Sequence, residues 1–325
     1  MPGYDIITIL GPTACGKTAV ATRLAVALAA THNAGTMPEV EAEIISADSR
    51  QVFRRMDIGT GKDLDDYVVS LAAGDEARNI RVPYHLIDIA EPGTKYSVFE
   101  FQRDFLRAYQ DILQRGHKPI LCGGTGLYIE SVLRAYRLVE VPVNQAMRDE
   151  LESKSLAELT DILSTYKRLH NTTDVDTARR AIRAIEIEEY YRRNNIDQTQ
   201  PFPALRSLTI GLDVPRELRR ERISRRLRTR LSEGMVDEVQ KLLDEGVQPE
   251  ALISYGLEYR YLTLYLTGQL TRDEMVQQLE TAIHQFAKRQ MTYFRGMQRR
   301  GVDIIWIDAT RPTDEIVSEI VKCKM

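Results

Sequence analysis

The chain has 325 residues, of which 43% are hydrophobic, and its net charge is −3. These values indicate a globular protein of one large domain or two modest ones. No stretch approaches the roughly 18 apolar residues of a membrane span, and the first residues lack the basic start of a secretion signal. We therefore expect a cytoplasmic protein with no membrane partner. Cys15, Cys122 and Cys323 are widely spaced, which predicts free thiols and indicates neither a disulfide framework nor a zinc site.

The first motif runs from Gly11 to Thr18, reads Gly-Pro-Thr-Ala-Cys-Gly-Lys-Thr, and has the spacing of a phosphate-binding loop. An apolar run at 4–10 precedes it and an Ala-rich stretch at 19–30 follows, which predicts strand, loop and helix in that order. This arrangement points backbone N–H groups and the positive end of a helix dipole at an anion. Lys17 would reach the terminal phosphates, and the Thr18 hydroxyl would bind a bridging Mg²⁺ ion. The motif leaves the identity of the phosphate ligand open.

A second strand is predicted at 42–46, after a loop at 31–40, and it ends just before Asp48. In an open parallel sheet the ligand crevice lies beyond the carboxyl ends of the strands, so Asp48 is expected at the same edge as the phosphate loop. From its position alone, a helix N-cap or a ligand in the Mg²⁺ water shell explains this carboxylate about as well as a catalytic base does. The acidic segment 63–81 is interpreted as surface, and 83–89 as another strand.

Two further elements lead to a second loop at this edge. Ser97, with Glu100 three residues later, predicts a capping box at the start of a helix. A buried strand at 119–122 then precedes Gly123-Gly124-Thr125-Gly126-Leu127-Tyr128, where two glycines allow close approach to a ligand and Thr125 offers a hydroxyl at a helix start. A plain strand-to-helix turn with Thr125 as its cap would explain this motif equally well if it stood alone. Three strand ends converging on one crevice favour a site.

The composition changes in the middle of the chain. Residues 140–204 are polar and carry Leu, Ile, Arg and Glu at helical spacing, which predicts an inserted all-helical subdomain closed by a polar linker at 194–203. Residues 1–139 and 205–325 would then form the core domain. The insertion carries a basic patch of three arginines: Arg179, Arg180 and Arg183.

The second half of the core begins with a strand at 205–214 and a helix from Pro215 that carries eight arginines between residues 216 and 230. Glu217 and Glu221 would pair with some of them on a solvated face, but the excess of positive charge favours a partner with phosphates. Three helices, a strand and a last helix follow, at 235–245, 254–266, 271–296, 303–306 and from 312 onward. The elements together predict an α/β fold, a P-loop NTPase-like parallel sheet flanked by helices.

In this order, the motifs resemble the bacterial tRNA dimethylallyltransferases. The resemblance covers nearly the whole chain and rests on five stretches: 11–18, 45–53, 57–62, 123–128 and 287–290. The second and fourth of these are far more specific than the phosphate loop. The resemblance implies a prenyltransferase that moves the dimethylallyl group of dimethylallyl diphosphate to N6 of the adenosine immediately 3′ of the anticodon in tRNAs. The phosphate loop would then hold a diphosphate leaving group and not ATP.

The resemblance also implies roles for individual residues. Asp48 would be the general base that takes a proton from the adenine amino group, and Thr125 would lie beside the reacting centre. Mg²⁺ on Thr18 would help to neutralise the departing diphosphate. The diphosphate would be bound by Gly11, Thr13, Ala14, Cys15, Gly16, Lys17, Thr18, Arg222 and Arg226. The tRNA anticodon stem-loop would be contacted by Asp48, Ser49, Arg50, Gln51, Thr125, Arg148, Arg179, Arg180 and Arg183. A monomer is expected.

The chain departs from the usual family pattern at Phe53, Tyr84, Arg179, Tyr293 and the stretch 254–259, which includes Leu257. These departures leave open which tRNAs are accepted.

Three other functions are weighed against this one. A transferase acting on free AMP would not need an arginine-bearing insertion, and a small-molecule P-loop kinase would carry a lid signature that the sequence does not show. A non-catalytic RNA-binding module would not need Asp48 at a strand end. If the helix N-terminus stabilises the thiolate of Cys15, that thiol would be reactive, and bound diphosphate would protect it.

Overall fold

The structure, a computed structural model, describes residues 3–30, 40–73, 76–167, 173–194 and 202–323. The chain divides into two compact units: a larger one made of Met1–Tyr136 and Pro203–Met325, and a smaller one, Arg137–Phe202. Most of the predicted loop 31–40 and of the predicted linker 194–203 lies outside the described residues. No helix within the described ranges is long and apolar enough to cross a membrane.

The larger unit is built on a parallel β-sheet. The strands along the chain are β1 (Ile6–Leu10), β2 (Ala42–Ser46), β3 (Val68–Ala73), β4 (Glu76–Arg81), β5 (Tyr84–His85), β6 (Lys118–Gly123), β7 (Ser207–Asp213) and β8 (Ile305–Asp308). Within the described residues, six of them form one parallel sheet in the order β5-β2-β6-β1-β7-β8. Because β1, β2 and β6 are neighbours, the loops that follow them meet at one edge.

Helices cover both faces of this sheet, which explains why its central strands are almost entirely apolar and buried. The helices of the larger unit are α1 (Lys17–Ala30), α2 (Val98–Gln114), α3 (Gly126–Leu133), and, after the smaller unit, α7 (Arg216–Ser232), α8 (Met235–Asp244), α9 (Pro249–Tyr255), α10 (Leu257–Leu266), α11 (Arg272–Arg299) and α12 (Thr313–Lys322). The capping box predicted at Ser97 and Glu100 is present at the start of α2. The predicted α/β, P-loop NTPase-like fold is confirmed.

Among the hydrophobic cores formed by described residues of the larger unit, two bear on the site. One surrounds the sheet and includes residues of β1, α1, β6, β7 and α12. The other joins the helices α7 to α11 to the segment that follows β2, through buried side chains such as Phe53, Met235, Tyr259 and Ile283. Side chains at the carboxyl edge of the sheet are therefore held between two packed layers.

The interpretation of 63–81 as a plain surface segment is wrong. Leu64–Tyr67 forms a 3-10 turn, and β3 and β4 pair as an antiparallel hairpin. Tyr67, Val69 and Ile80 are buried against the sheet core. The many charges of this segment concealed the apolar residues that alternate with them.

The helix predicted at 254–266 is interrupted. Gly256 has φ +155°, a conformation that side chains rarely adopt, and it separates α9 from α10. A Cβ atom at Gly256 would also lie 3.2 Å from Nε of Arg50. The break allows the start of α10 to face the carboxyl edge of the sheet.

The smaller unit contains α4 (Gln145–Glu152), α5 (Leu156–Tyr166), a 3-10 turn (Thr173–Val175) and α6 (Ala178–Asn194). Its described residues include no strand. The three helices pack on a small core formed by Leu151, Leu159, Leu163, Ala181, Ala184 and Ile185. Apolar side chains at helical spacing on α6, Ala181, Ala184 and Ile185, therefore contribute to this core.

Candidate active site

The phosphate loop joins β1 to α1, as predicted. Ala14 and Gly16 both have positive φ values, 63° and 85°, which turn the loop backbone around a central concavity. Nζ of Lys17 donates to the carbonyl oxygen of Pro12 at 2.8 Å, so the ammonium group lies over the loop. α1 begins at Lys17 and Thr18, and its first N–H groups therefore face this concavity.

Cys15 is buried within the phosphate loop, and its thiol is not accessible, because only 2% of the residue's surface is exposed. A Cβ atom at Gly11 would lie 2.7 Å from its Sγ and 2.8 Å from the carbonyl oxygen of Leu212, so this loop closes only around a glycine. The reactivity expected of Cys15 stays a prediction, and its burial predicts slow modification.

The loops after β2 and β6 meet at Asp48 and Thr125. Oδ1 of Asp48 accepts the N–H of Arg50 at 2.8 Å, which fixes the carboxylate in a turn and leaves Oδ2 for a ligand. No helix begins at this turn, so the N-cap explanation of Asp48 is wrong. Thr125 occupies the N-cap position of α3, but its hydroxyl makes no capping bond there. Instead, its Oγ1 accepts the N–H of Ser49 at 3.0 Å.

Close backbone approach locks these two loops together. The N–H of Thr125 donates to the carbonyl oxygen of Ala47 at 3.1 Å, and the N–H of Ala47 donates to the carbonyl oxygen of Cys122 at 2.8 Å. A Cβ atom at Gly123 would lie only 2.3 Å from the carbonyl oxygen of Ala47. The glycine of this motif is therefore required by the neighbouring strand end.

Of the other predicted base-reading residues, Gln51 and Arg50 differ sharply. The amide of Gln51 accepts from Ser46 Oγ at 3.1 Å and donates to the carbonyl oxygen of Gly61 at 3.0 Å, so it supports the wall. The guanidinium of Arg50 makes no hydrogen bond with the described residues, and burial lowers its pKa. Arg50 is thus the group of this motif that has donors left for a ligand.

The arginines of α7 supply the positive side of the site. Arg226 pairs with Asp63 at 2.6 Å, and Arg230, one turn further on, approaches the same carboxylate at 3.5 Å. Burial lowers the pKa of Arg230 and raises that of the neighbouring Glu258, whose charge Arg230 and Arg226 partly offset. Guanidinium groups aimed at one point suit a ligand with several negative oxygens.

One cavity of about 950 Å³ joins these parts, and this volume lies within the range of roughly 300 to 1,000 Å³ that is usual for small-ligand sites. Two exposed apolar side chains, Leu127 and Phe286, lie in its wall. Of the residues predicted for the site, the cavity wall includes Thr13, Ala14, Gly16, Lys17, Thr18, Asp48, Ser49, Arg50, Gln51, Thr125, Arg222 and Arg226. Thr18 and Asp48 present hard oxygen atoms to the same space, which fits Mg²⁺.

In the smaller unit, the four predicted RNA contacts fall into two groups. Arg148 and Arg183 both pair with Glu186, which is 2% exposed, and Arg183 also donates to the carbonyl oxygen of Val141 at 2.9 Å. Burial alone would raise the pKa of Glu186, but hydrogen bonds from Arg148, Asn144 and Arg183 lower it. By contrast, Arg179 and Arg180 are exposed on α6.

Comparison with known proteins identifies the family. The sequence pattern of the IPP transferases matches residues 51–297. A tRNA dimethylallyltransferase of Bacteroides fragilis is 60% identical over 325 residues, which cover 100% of this chain and 99% of that protein. One from Trichlorobacter lovleyi is 53% identical and covers 94% of this chain and 92% of its own. The chain belongs to the IPP transferase family. The predicted resemblance is therefore confirmed.

Solved structures agree with this assignment. The fold of this IPP transferase matches the crystal structure of the full-length tRNA isopentenylpyrophosphate transferase from Bacillus halodurans with a TM-score of 0.64 and 30% identity, over 98% of this chain and 95% of that one. A eukaryotic dimethylallyltransferase acting on tRNA gives a TM-score of 0.65 over 94% of this chain and 73% of its own. At 21% identity the second match supports the fold alone.

The cavity wall also includes residues that were not predicted for the site, among them Arg230, Glu258 and Gln290. Arg230 could have been found, because it continues the spacing of four set by Arg222 and Arg226. Glu258 was concealed by the helix break at Gly256. Gln290 lies in the stretch 287–290 that carries the family resemblance, but nothing in that stretch indicated that its side chain contacts the phosphate loop.

Proposed function

We propose that this IPP transferase transfers the dimethylallyl group of dimethylallyl diphosphate to N6 of the adenosine 3′ of the anticodon in tRNA. The observation that carries the proposal is the single cavity that joins a phosphate loop and arginines to the locked pair of Asp48 and Thr125. A phosphate-ester substrate at one end would thus meet a base and a hydroxyl at the other. Membership of the IPP transferase family and the curated tRNA dimethylallyltransferases at 60% identity support the same reaction.

The diphosphate would lie on the phosphate loop, held by backbone N–H groups, by Lys17 and by Arg222 and Arg226 of α7. To bind there, it would compete with Asp63 for Arg226. Thr18 would hold a Mg²⁺ ion, which supplies further neutralisation of the negative charge on the leaving group. As the bond between the allylic carbon and oxygen breaks, the positive charges around the diphosphate stabilise it.

The acceptor adenine would enter the cavity flipped out of its stack, because a stacked base cannot present N6 to a recessed carboxylate. Its amino nitrogen forms the new bond to the allylic carbon, and the proton it loses passes to Oδ2 of Asp48. Thr125 keeps Ser49 and Asp48 in place through its bond to the Ser49 N–H. Arg50 has free donors for the nucleotide. The basic patch on α6 would contact the anticodon stem-loop.

We also propose that the protein acts as a monomer, since one chain supplies the residues predicted to bind the dimethylallyl diphosphate and the acceptor tRNA. It also includes a cytoplasmic location, where tRNA is modified. The helical insertion at 140–204 would act as the tRNA-contacting subdomain of this enzyme.

A transfer assay with labelled dimethylallyl diphosphate and Mg²⁺ tests the function. The acceptors are an unmodified anticodon stem-loop with adenine 3′ of the anticodon, the same stem-loop with guanine there, free AMP, and none. We expect label in the adenine stem-loop alone. Asp48→Ala should lower kcat by about 10²- to 10⁴-fold, whereas Asp111→Ala, on the exposed face of α2, should not change it.

Label in AMP alone would indicate that the protein is a dimethylallyltransferase that acts on free nucleotides. Hydrolysis or transfer of ATP without prenylation would indicate a kinase. Full turnover in Asp48→Ala would show that Asp48 is not the general base.

A further inference from the structure

Gln290 connects the two halves of the cavity. It lies on α11, is 8% exposed, and makes two hydrogen bonds through its side-chain amide. Its Oε1 accepts the N–H of Thr13 in the phosphate loop at 2.9 Å. Its Nε2 donates to the carbonyl oxygen of Gly124 at 2.9 Å, and Gly124 immediately precedes Thr125.

The chemistry of these contacts defines the amide orientation. One partner is an N–H and the other a C=O, so only a group with an acceptor on one side and a donor on the other satisfies both. The contact is also tight, because a Cβ atom at Gly124 would lie 2.6 Å from Nε2 of Gln290. A smaller or apolar side chain at 290 would leave the buried carbonyl oxygen of Gly124 and the N–H of the half-buried Thr13 without these partners.

The helix that carries Gln290 is a rigid support. Residues on the same helix, Met275, Leu279, Met291, Phe294 and Met297, are buried in the packed cores. Hydrogen bonds continue from Gly124 through Thr125 to Ser49, the neighbour of Asp48. A continuous path of contacts therefore runs from the loop expected to hold the donor diphosphate to the residues expected to act on the acceptor base.

We propose that Gln290 is a positioning residue that holds the phosphate loop and the Gly124–Thr125 loop in register, so that binding of the diphosphate and binding of the acceptor RNA favour each other. This inference rests on the proposed function. Bound diphosphate restrains the backbone of the phosphate loop. The hydrogen bonds of the Gln290 amide to Thr13 and Gly124 then restrain the Gly124–Thr125 loop as well. By linkage, the RNA must then tighten diphosphate binding by the same factor.

The first test compares wild type, Gln290→Met and a matched control, Gln102→Met. Gln102 is also a buried glutamine, and its amide donates to two backbone carbonyl oxygens, that of Ser131 in α3 and that of Tyr136, but it does not line the cavity. The stem-loop Kd is measured with and without inorganic diphosphate and Mg²⁺. We expect diphosphate to lower the stem-loop Kd of wild type and of Gln102→Met by about fivefold or more. The stem-loop Kd of Gln290→Met should hardly change. The kcat of Gln290→Met should fall by about tenfold or more, with a smaller change in either KM.

The second test uses Gln290→Glu, which separates positioning from mere structural support. An ionised glutamate accepts from Thr13 but cannot donate to Gly124, whereas a protonated glutamate restores both bonds. The ratio of its kcat to that of wild type should therefore rise as pH falls, while the ratio for Gln102→Met should stay flat. Taking the ratio to wild type removes the pH effects that the two enzymes share.

Equal coupling factors in wild type and Gln290→Met, a wild-type factor of one, or a pH-independent ratio for Gln290→Glu would each overturn the proposal. Failure of the proposed function is a separate result, because wild type would then transfer no label to the adenine stem-loop.

Discussion

Lys62 illustrates how one buried charge shapes the wall of the site. Its side chain is 0% exposed, and Nζ donates to Asp57 at 2.8 Å, to the carbonyl oxygen of Phe53 at 2.5 Å and to Asp88. These bonds close the loop that ends at Gly61, whose carbonyl oxygen holds Gln51. A buried ammonium is tolerated only when all of its donors are paired.

We expect Lys62→Met to lower the free energy of unfolding by about 1 to 3 kcal/mol, because it leaves the buried carbonyl oxygen of Phe53 without its donor. The measurement is urea unfolding, with Lys322→Met, in the exposed last turn of α12, as the control. Equal stability of the two variants would show that water replaces the ammonium at no cost.

For individual residues, the sequence indicated which side chains are candidates for the site but not which hydrogen bonds they make. Asp48 and Thr125 were found from their positions at strand ends, and the cavity contains both. The bond from Ser49 to Thr125, however, joins residues 76 positions apart, and no local pattern encodes it. The same holds for Gln290.

Among the elements, the starts of β2 and β6 are joined by an ionic cluster at the edge of the sheet opposite the site. Glu43 is 2% exposed and accepts from Arg115 at 2.9 Å, from His85 at 2.6 Å and from His117 at 2.7 Å. Burial would raise the pKa of Glu43, but these hydrogen bonds outweigh burial and lower it from 4.5 to about 2. The cluster ties α2, β2, β5 and β6 together.

Because the pKa of Glu43 is lower in the folded chain than in the unfolded chain, its stabilising effect is complete above about pH 4.5 and is lost as the pH falls towards 2. We expect Glu43→Gln to be less stable than wild type by about 2 to 3 kcal/mol at pH 7 and the difference to shrink below about pH 4. Urea unfolding across this range measures it, with Glu250→Gln, exposed on α9, as the control. A difference that does not vary with pH would contradict the role of the charge.

The elements themselves were largely predictable. Short apolar runs identified β1 and β6, an Ala-rich stretch identified α1, and the capping box identified α2. The failures were the hairpin of β3 and β4, where charges concealed alternation, and the helix break at Gly256, where a glycine conformation outweighed helix propensity.

For the whole molecule, a net charge of −3 conceals a strong local asymmetry. Arginines of α7 face the cavity, and Arg179 and Arg180 are exposed on α6. A polyanion responds to such local patches and not to the total charge.

We expect Arg179→Ala and Arg180→Ala each to weaken stem-loop binding and to reduce the slope of log Kd against log salt by about 0.7 to 0.9, with no change in thermal stability. Arg148→Met should instead lower the stability of the protein, because it removes a partner of the buried Glu186. Kd titrations at several salt concentrations and thermal unfolding separate the two effects. Salt slopes that do not change in either alanine variant would exclude this patch as a phosphate contact.

The sequence by itself determined the α/β fold and the family, and it predicted the phosphate loop and the helical insertion, because each of these follows from local spacing or from motifs along the chain. Only the tertiary structure decided which side chains share the cavity, that Gln51 and Arg148 are already hydrogen-bonded within the protein, and that Gln290 joins the two loops. The physical reason is that hydrogen bonds and burial depend on atoms brought together from distant parts of the chain, and local periodicity carries no information about those partners.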